Sequence, residues 1–165
     1  MSESIPLPHL STDQDFDGPS FAPIYTTTVT VSGGEASHGR ASGHARSDDG
    51  TLDLNLRTPP ELGGDGNGTN PEQLLAAGFA ACLHGALSLL ARQNGLDPEP
   101  IAVDANVAFG RDPADGGYAL HLDLIVNWPG VDPELAAPLL EQADSLSPYT
   151  RMMGGGAPTT ITLAT

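Results

Sequence analysis

The sequence predicts an α+β domain in which antiparallel sheet packs against helices. Three observations carry this: strand-like segments that come in runs rather than alternating one by one with helices, two long helices with clear start signals, and an element order of βββ-α-ββ-α-β. That order has no βαβ rhythm, so a parallel sheet is not expected. A chain of 165 residues with 39% hydrophobic residues suits one domain around one core.

Residues 1–23 mix proline, acidic and small polar residues without periodicity, so they read as a flexible N-terminal extension, leaving 24–165 as the folded domain. Residues 24–32 (IYTTTVTVS) and 52–57 (LDLNLR) alternate with period two and read as strands. Between them residues 40–47 form a further strand, closed onto 52–57 by a turn at Asp48, Asp49 and Gly50, so that a three-stranded antiparallel meander results. A glycine-rich loop, 61–69 (ELGGDGNGT), then leads to Asn70 as N-cap, Pro71 at N1 and Gln73 at N3, a capping-box pattern. The helix that starts there runs to about Gln93 and stops near Asn94 and Gly95. Residues 101–109 and 118–127 alternate again around a hairpin loop at 112–117. Asp132 caps a second helix with Pro133 at N1 and an apolar stripe of Leu135, Leu139, Leu140, Ala143 and Leu146. A last strand over 159–164 closes the chain.

Composition narrows the function. The formal charge is −15, with 6 cations that are all arginine. Nucleic acid and anionic membrane surfaces, which attract clustered cations, are therefore not expected partners. The N-terminal segment lacks the basic and apolar regions of a signal peptide, and no apolar run approaches the roughly 20 residues that span a bilayer, so a cytoplasmic location is expected. The histidines show no metal-ligand spacing, and no metal site is expected. The glycine-rich loop lacks the GK[ST] or GxGxxG context of a phosphate cradle and reads as a flexible wall of the active site.

Cys82, the one cysteine, sits among small residues in the first helix and has two readings: a small buried hydrophobe, or a reactive thiol. The second requires a positive charge, because Cys82 lies too far into the helix to use its N-terminal dipole. An arginine brought to such a place needs a carboxylate, and Glu72 is the nearest candidate in sequence. Glu72 precedes Cys82 by ten residues, about 15 Å along one helix. The two can share a site only if Glu72 comes from a second subunit. His84, about 200° around the helix from Cys82, faces elsewhere and reads as a hydrogen-bonded interface histidine, and His121 as solvent-exposed.

Residues 69–83 (TNPEQLLAAGFAACL), preceded by Glu61-Leu62-Gly63-Gly64 and followed later by Ser147-Pro148-Tyr149, closely resemble the organic hydroperoxide resistance branch of the OsmC/Ohr family, over about residues 25–165. The resemblance implies a cytosolic homodimer whose antiparallel sheets wrap around central helices, with two thiol-dependent sites at the subunit interface. It implies reduction of organic hydroperoxides, no bound cofactor, and an external dithiol such as a lipoylated protein as reductant. It gives Cys82 the role of peroxidatic thiolate and Glu72 that of the carboxylate holding the active-site arginine. For that arginine the best match to the family's Gly-Arg-x-Gly stretch is Arg40, in a segment one residue longer, with Arg46 as the alternative. Roughly 20 Å of extended strand separates the two, so only one can serve the thiol. Leu74, Phe79 and Met152 are expected to form apolar walls that favour alkyl peroxides.

One departure stands out. Relatives carry a resolving cysteine in a Cys-Pro-Tyr stretch, and this chain has Ser147 there. A hydroxyl cannot condense with a sulfenic acid to form a disulfide. The catalytic reading is a one-cysteine peroxidase. Its rivals are a non-catalytic protein that binds a hydrophobic small molecule between subunits, and a redox sensor.

Overall fold

The computed structural model describes Gly18, Ser20, Phe21, residues 23–35 and residues 42–156. Most of the N-terminal extension, Arg40 and the expected strand at 159–164 lie outside the described residues. Two antiparallel sheets and two long helices make up the rest, so the α+β class holds.

The first sheet is the expected meander, β1 (Val29–Ser32), β2 (Gly43–Ser47) and β3 (Asp53–Leu56), with Val31 opposite Ala45 and Ala45 opposite Leu54. Its strands are shorter than the alternation suggested. Residues 24–28 extend beyond the end of β2, where the Thr28 carbonyl accepts from the Asp48 N–H at 2.9 Å and the Thr27 hydroxyl donates to the Asp48 carboxylate at 3.2 Å. Ala45 is buried while all four residues of β1 are exposed. The turn joining β2 to β3 closes around the Asp49 carboxylate. It accepts from the Ser47 hydroxyl at 2.6 Å, the Thr51 N–H at 3.0 Å and the Thr51 hydroxyl at 2.8 Å. These bonds, the Ser47 hydroxyl foremost, hold the carboxyl down from 3.8 to about 2, because each favours the ionised form. Gly50 takes the left-handed φ of 74° that the turn requires.

The glycine-rich loop is more structured than its composition suggested. A 3-10 turn, Pro60–Leu62, opens it, and the Gly64 and Gly66 N–H groups bond back to the Pro59 and Thr58 carbonyls. A Cβ at Gly64 would fall 1.8 Å from the Thr58 carbonyl oxygen, so glycine is required for this close approach.

Helix α1 (Pro71–Gln93) begins and ends where the sequence placed it. Asn70 Oδ1 accepts from the Gln73 N–H at 2.9 Å, half of a capping box. The reciprocal half is missing because the Gln73 side chain accepts instead from the Thr69 hydroxyl at 2.8 Å. At the far end the Asn94 side-chain amide donates to the Leu90 carbonyl at 2.8 Å, and Gly95 turns left-handed at φ 71°.

The second sheet is the hairpin β4 (Ala102–Arg111) and β5 (Tyr118–Asn127), longer at the loop end than expected. Helix α2 (Pro133–Leu146) follows, capped by Asp132, which accepts from the Glu134 N–H at 3.0 Å. Leu83, Ala86, Leu87, Leu90 and Ala91 of α1 form one core with Ile101, Leu139 and Ala143, and Val103, Leu124 and Val126 of the hairpin pack against it. The expected stripe of α2 is borne out except at Leu135, which is 54% exposed because the first turn of α2 stands clear of that cluster.

α1 also corrects one expectation. Over 23 residues it is long and apolar enough to cross a membrane by length and composition, with a mean hydropathy of 1.9 in its best window. Alanines scattered among the leucines carry much of that average, which is why no single greasy run had stood out. One third of the window is buried inside the chain, against the hairpin and α2.

Candidate functional site

α1 carries Cys82 at its middle, half-buried, and the end of α2 delivers the residue that meets it. α2 stops at Leu146 because Pro148 lacks the N–H that would continue it and biases the residue before it towards extended backbone. Ser147 accordingly adopts φ −65°, ψ 118°, and caps a short helix, α3 (Pro148–Arg151). Its hydroxyl accepts from the Thr150 N–H at 3.4 Å and donates to Cys82 Sγ at 3.5 Å. Ser147 is 2% exposed. The Thr150 hydroxyl donates to the Asp144 carboxylate at 2.9 Å and ties α3 back to α2.

Tyr149 completes the corner. Its ring meets the buried Phe79 edge to face, with centroids 4.9 Å apart at 74°. It approaches α1 at Gly78, where an added Cβ would lie 2.8 Å from the Tyr149 hydroxyl oxygen. Sequence reasoning quoted Tyr149 within the family stretch but assigned it no place at the site. The signal was present in Gly78, a helix-interior glycine that admits a neighbouring ring.

Of the residues singled out in the sequence, Cys82, Phe79 and Ser147 thus converge. Glu72 and Leu74 remain near the start of α1, ten and eight residues before Cys82, about 15 and 12 Å along the axis. Glu72 lines a separate cleft of about 530 Å³ with Glu61, Gln73, Phe109 and Asp123 among its walls. Met152 begins the turn of π-helix that follows α3 and is 45% exposed. Arg40 lies outside the described residues. Arg46, the alternative, projects from β2 and pairs with the Asp53 carboxylate at 3.1 Å, which also accepts from or pairs with His44. Arg46 belongs to the sheet's own charge network.

His84 turns away from Cys82, as its position on the helix required, and its Nε2 lies 3.2 Å from the Ile101 carbonyl. His121 is exposed. Beyond His84, the outward side of α1 presents Ala77, Ala81 and Gly85, small exposed residues in steps of four that permit close approach of another backbone.

The chemistry available at this corner is that of a thiol on a rigid helix, reachable from solvent on one side and backed on the other by a hydroxyl donor and an aromatic pair. The family model described as OsmC-like protein matches residues 64–162, a span that holds Glu72, Cys82 and Ser147. Over 143 residues the chain is 40% identical to an organic hydroperoxide resistance protein of Xanthomonas axonopodis pv. citri (strain 306), covering 86% of this chain and 95% of that protein. The crystal structure of an organic hydroperoxide resistance protein from Elizabethkingia anophelis, with crystallant-derived thiocyanate bound, matches with a TM-score of 0.71 and 36% identity, over 82% of this chain and 92% of that one. That of the organic hydroperoxide resistance protein OhrB of Bacillus subtilis matches with a TM-score of 0.67 and 36% identity, over 81% and 93%. With a family match over more than half its length and relatives of this identity along most of it, the chain belongs to the OsmC-like protein family, beside relatives named organic hydroperoxide resistance proteins.

Proposed function

We propose that the chain is a thiol-dependent peroxidase that reduces organic hydroperoxides and serves in oxidative stress defence, with Cys82 as the nucleophile. One observation supports this above others. The position at which the family resemblance seats a resolving thiol is held by Ser147, and its hydroxyl stands 3.5 Å from Cys82 Sγ. The relatives' names point to the same class of substrate.

In this reading the Cys82 thiolate attacks one oxygen of the peroxide. An S–O bond forms, the O–O bond breaks, and the electron pair leaves with the alkoxide, which takes a proton to become the alcohol. Sulfur is oxidised to sulfenic acid as the peroxide is reduced. Ser147 cannot resolve that species, so an external dithiol, for which a lipoylated protein is the family's precedent, attacks the sulfenic sulfur and releases water. Its second thiol then attacks the mixed disulfide, releasing Cys82 as thiolate, and the reductant departs as its cyclic disulfide.

The site is completed in a homodimer in the cytosol. Arg40 stabilises the thiolate and polarises the peroxide, and Glu72 of the second subunit orients Arg40. The exposed small-residue side of α1 supports such a pairing of helices. Leu74, Phe79 and Met152 serve as apolar walls that favour alkyl over inorganic peroxide. A second reading, a non-catalytic binder of a hydrophobic small molecule, is favoured by the hydroxyl in place of a second thiol. A peroxidase assay with cumene hydroperoxide and several thiol donors, run beside Cys82→Ser, separates the two. Turnover with a dithiol that vanishes in Cys82→Ser supports the peroxidase; equal rates in both proteins would remove Cys82 from the chemistry.

A further inference from the structure

The corner gives Ser147 more to do than occupy a vacated position. A serine hydroxyl offers one hydrogen and two acceptor lone pairs. Ser147 is 2% exposed, so its hydrogen has no free access to water, and a buried hydroxyl without an acceptor is costly. One lone pair is engaged by the Thr150 N–H at 3.4 Å, and among the described residues the acceptor for the hydrogen is Cys82 Sγ at 3.5 Å. The geometry is held from both directions. Pro148 fixes the backbone after Ser147, the Thr150–Asp144 bond ties α3 to α2, and Tyr149 is wedged between Phe79 and Gly78 of the helix that carries the cysteine.

We infer that Ser147 is a positioning residue for the Cys82 thiolate, its buried hydroxyl donating a hydrogen bond that favours the charged sulfur and fixes the direction of its free lone pairs. The inference rests on the thiol reading proposed above and deepens it. A hydrogen bond to a charged acceptor is stronger than one to a neutral thiol, so the bond favours ionisation of the sulfur over its protonation. A thiol in the same place would be a poorer donor, being larger and more weakly polar. The chain thus gives up internal disulfide closure and gains a fixed donor beside the nucleophile.

The test is the rate of Cys82 alkylation by iodoacetamide across pH in the parent, Ser147→Ala and Ser147→Thr. In Ser147→Ala the rise of rate with pH should move to higher pH, slowing alkylation about three- to tenfold on the acid side, the order set by the difference between a hydrogen bond to a charged acceptor and one to a neutral acceptor. Its alkaline plateau should not fall, and Ser147→Thr, which keeps a hydroxyl, should lie close to the parent. Loss of the helix cap alone would change stability without moving this profile. Should Ser147→Ala fail to fold, the isosteric pair Ser147→Thr and Ser147→Val repeats the comparison. An acid-side rate in the hydroxyl-free variant equal to the parent's overturns the inference. Oxidation of the parent by cumene hydroperoxide, followed in parallel, keeps the two proposals separate. Oxidation of Cys82 with an unmoved profile sinks the role of Ser147 and spares the peroxidase, whereas a moved profile without oxidation does the reverse.

Discussion

Two polar clusters in this molecule are built on opposite plans. The turn between β2 and β3 gathers the Ser47 hydroxyl and the Thr51 N–H and hydroxyl around the Asp49 carboxylate, the Leu52 N–H donating in turn to the Ser47 hydroxyl, all within five residues of one another and with only Ser47 buried. The corner at Cys82 joins residues 65 apart in sequence, and its hydroxyl is almost fully buried. The turn is closed by its own short chain, so it needs little from the rest of the fold. The corner exists only because the core seats α2 against α1, and it inherits every error in that packing. A reactive group gains fixed geometry from the second plan and becomes sensitive to distant substitutions.

The comparison is broken most strongly through the core. Leu87 has no exposed surface and lies among Leu83, Leu90, Leu139 and Ala143. Leu87→Ala should cost about 2–5 kcal/mol from lost burial and the cavity left behind. Urea unfolding should show this as a lower midpoint with an unchanged slope.

A charge provides the next separation. Arg46 belongs to the sheet network with Asp53, whereas Arg40 is the cation we propose for the thiol. Arg40→Ala should slow alkylation of Cys82 at neutral pH by about tenfold or more, the order of one lost charge-assisted contact of about 1.5–3 kcal/mol. Arg46→Ala should leave that rate within twofold or so, since exposed ion pairs contribute about 0–1 kcal/mol. Exchanged outcomes would transfer the role to Arg46.

A methyl group probes the corner more gently. Gly78→Ala sets a Cβ 2.8 Å from the Tyr149 hydroxyl oxygen and 2.9 Å from a ring carbon, so Tyr149 has to shift. Overpacking of this kind costs about 1–3 kcal/mol, offset in part by the better helix propensity of alanine, roughly 1 kcal/mol. The informative readout is the alkylation rate of Cys82, which should change while the β2–β3 turn keeps its amide exchange pattern.

Acid gives the smallest effect and reverses the target. The Asp49 carboxyl is held at about 2 by the Ser47 and Thr51 bonds, below its ordinary 3.8. A carboxyl depressed in the folded state contributes stability that is present above pH ~4 and is lost as pH falls towards 2. Amide protection at Thr51 and Leu52, taken relative to the intrinsic exchange rate at each pH, should fall across that window, and Asp49→Asn should abolish the step.

Much of this was legible in the sequence where the cause is local. The Asn70-Pro71 start of α1, its stop at Asn94-Gly95 and the turn at 48–50 depend on residues a few positions apart, and all three stand where expected. Strand ends in the first sheet were misjudged because alternation in 24–28 says nothing about whether a partner strand is there to pair with it. Leu135 misled for a related reason: an apolar stripe gives the face of a helix, and contact with the core depends on how far the neighbouring helix extends. At the site, the surroundings of Cys82 in the helix left both of its readings open, and its role as the reactive thiol, like its meeting with position 147, was implied by family likeness alone. No spacing rule connects two residues 65 apart whose contact is made by helix packing. Tyr149 at Gly78 escaped for the same reason.

The account's central claim is that Cys82 reacts with organic hydroperoxide. Treating the folded protein with one equivalent of cumene hydroperoxide, trapping with a sulfenic-acid reagent and mapping the modified peptide by mass tests it most directly. The parent should gain a trapped sulfenic acid on Cys82, and Ser147→Cys, with its two side chains in reach of one another, should instead lose two hydrogens as a disulfide. A parent protein that remains folded and shows no peroxide-dependent change at Cys82 would contradict the claim.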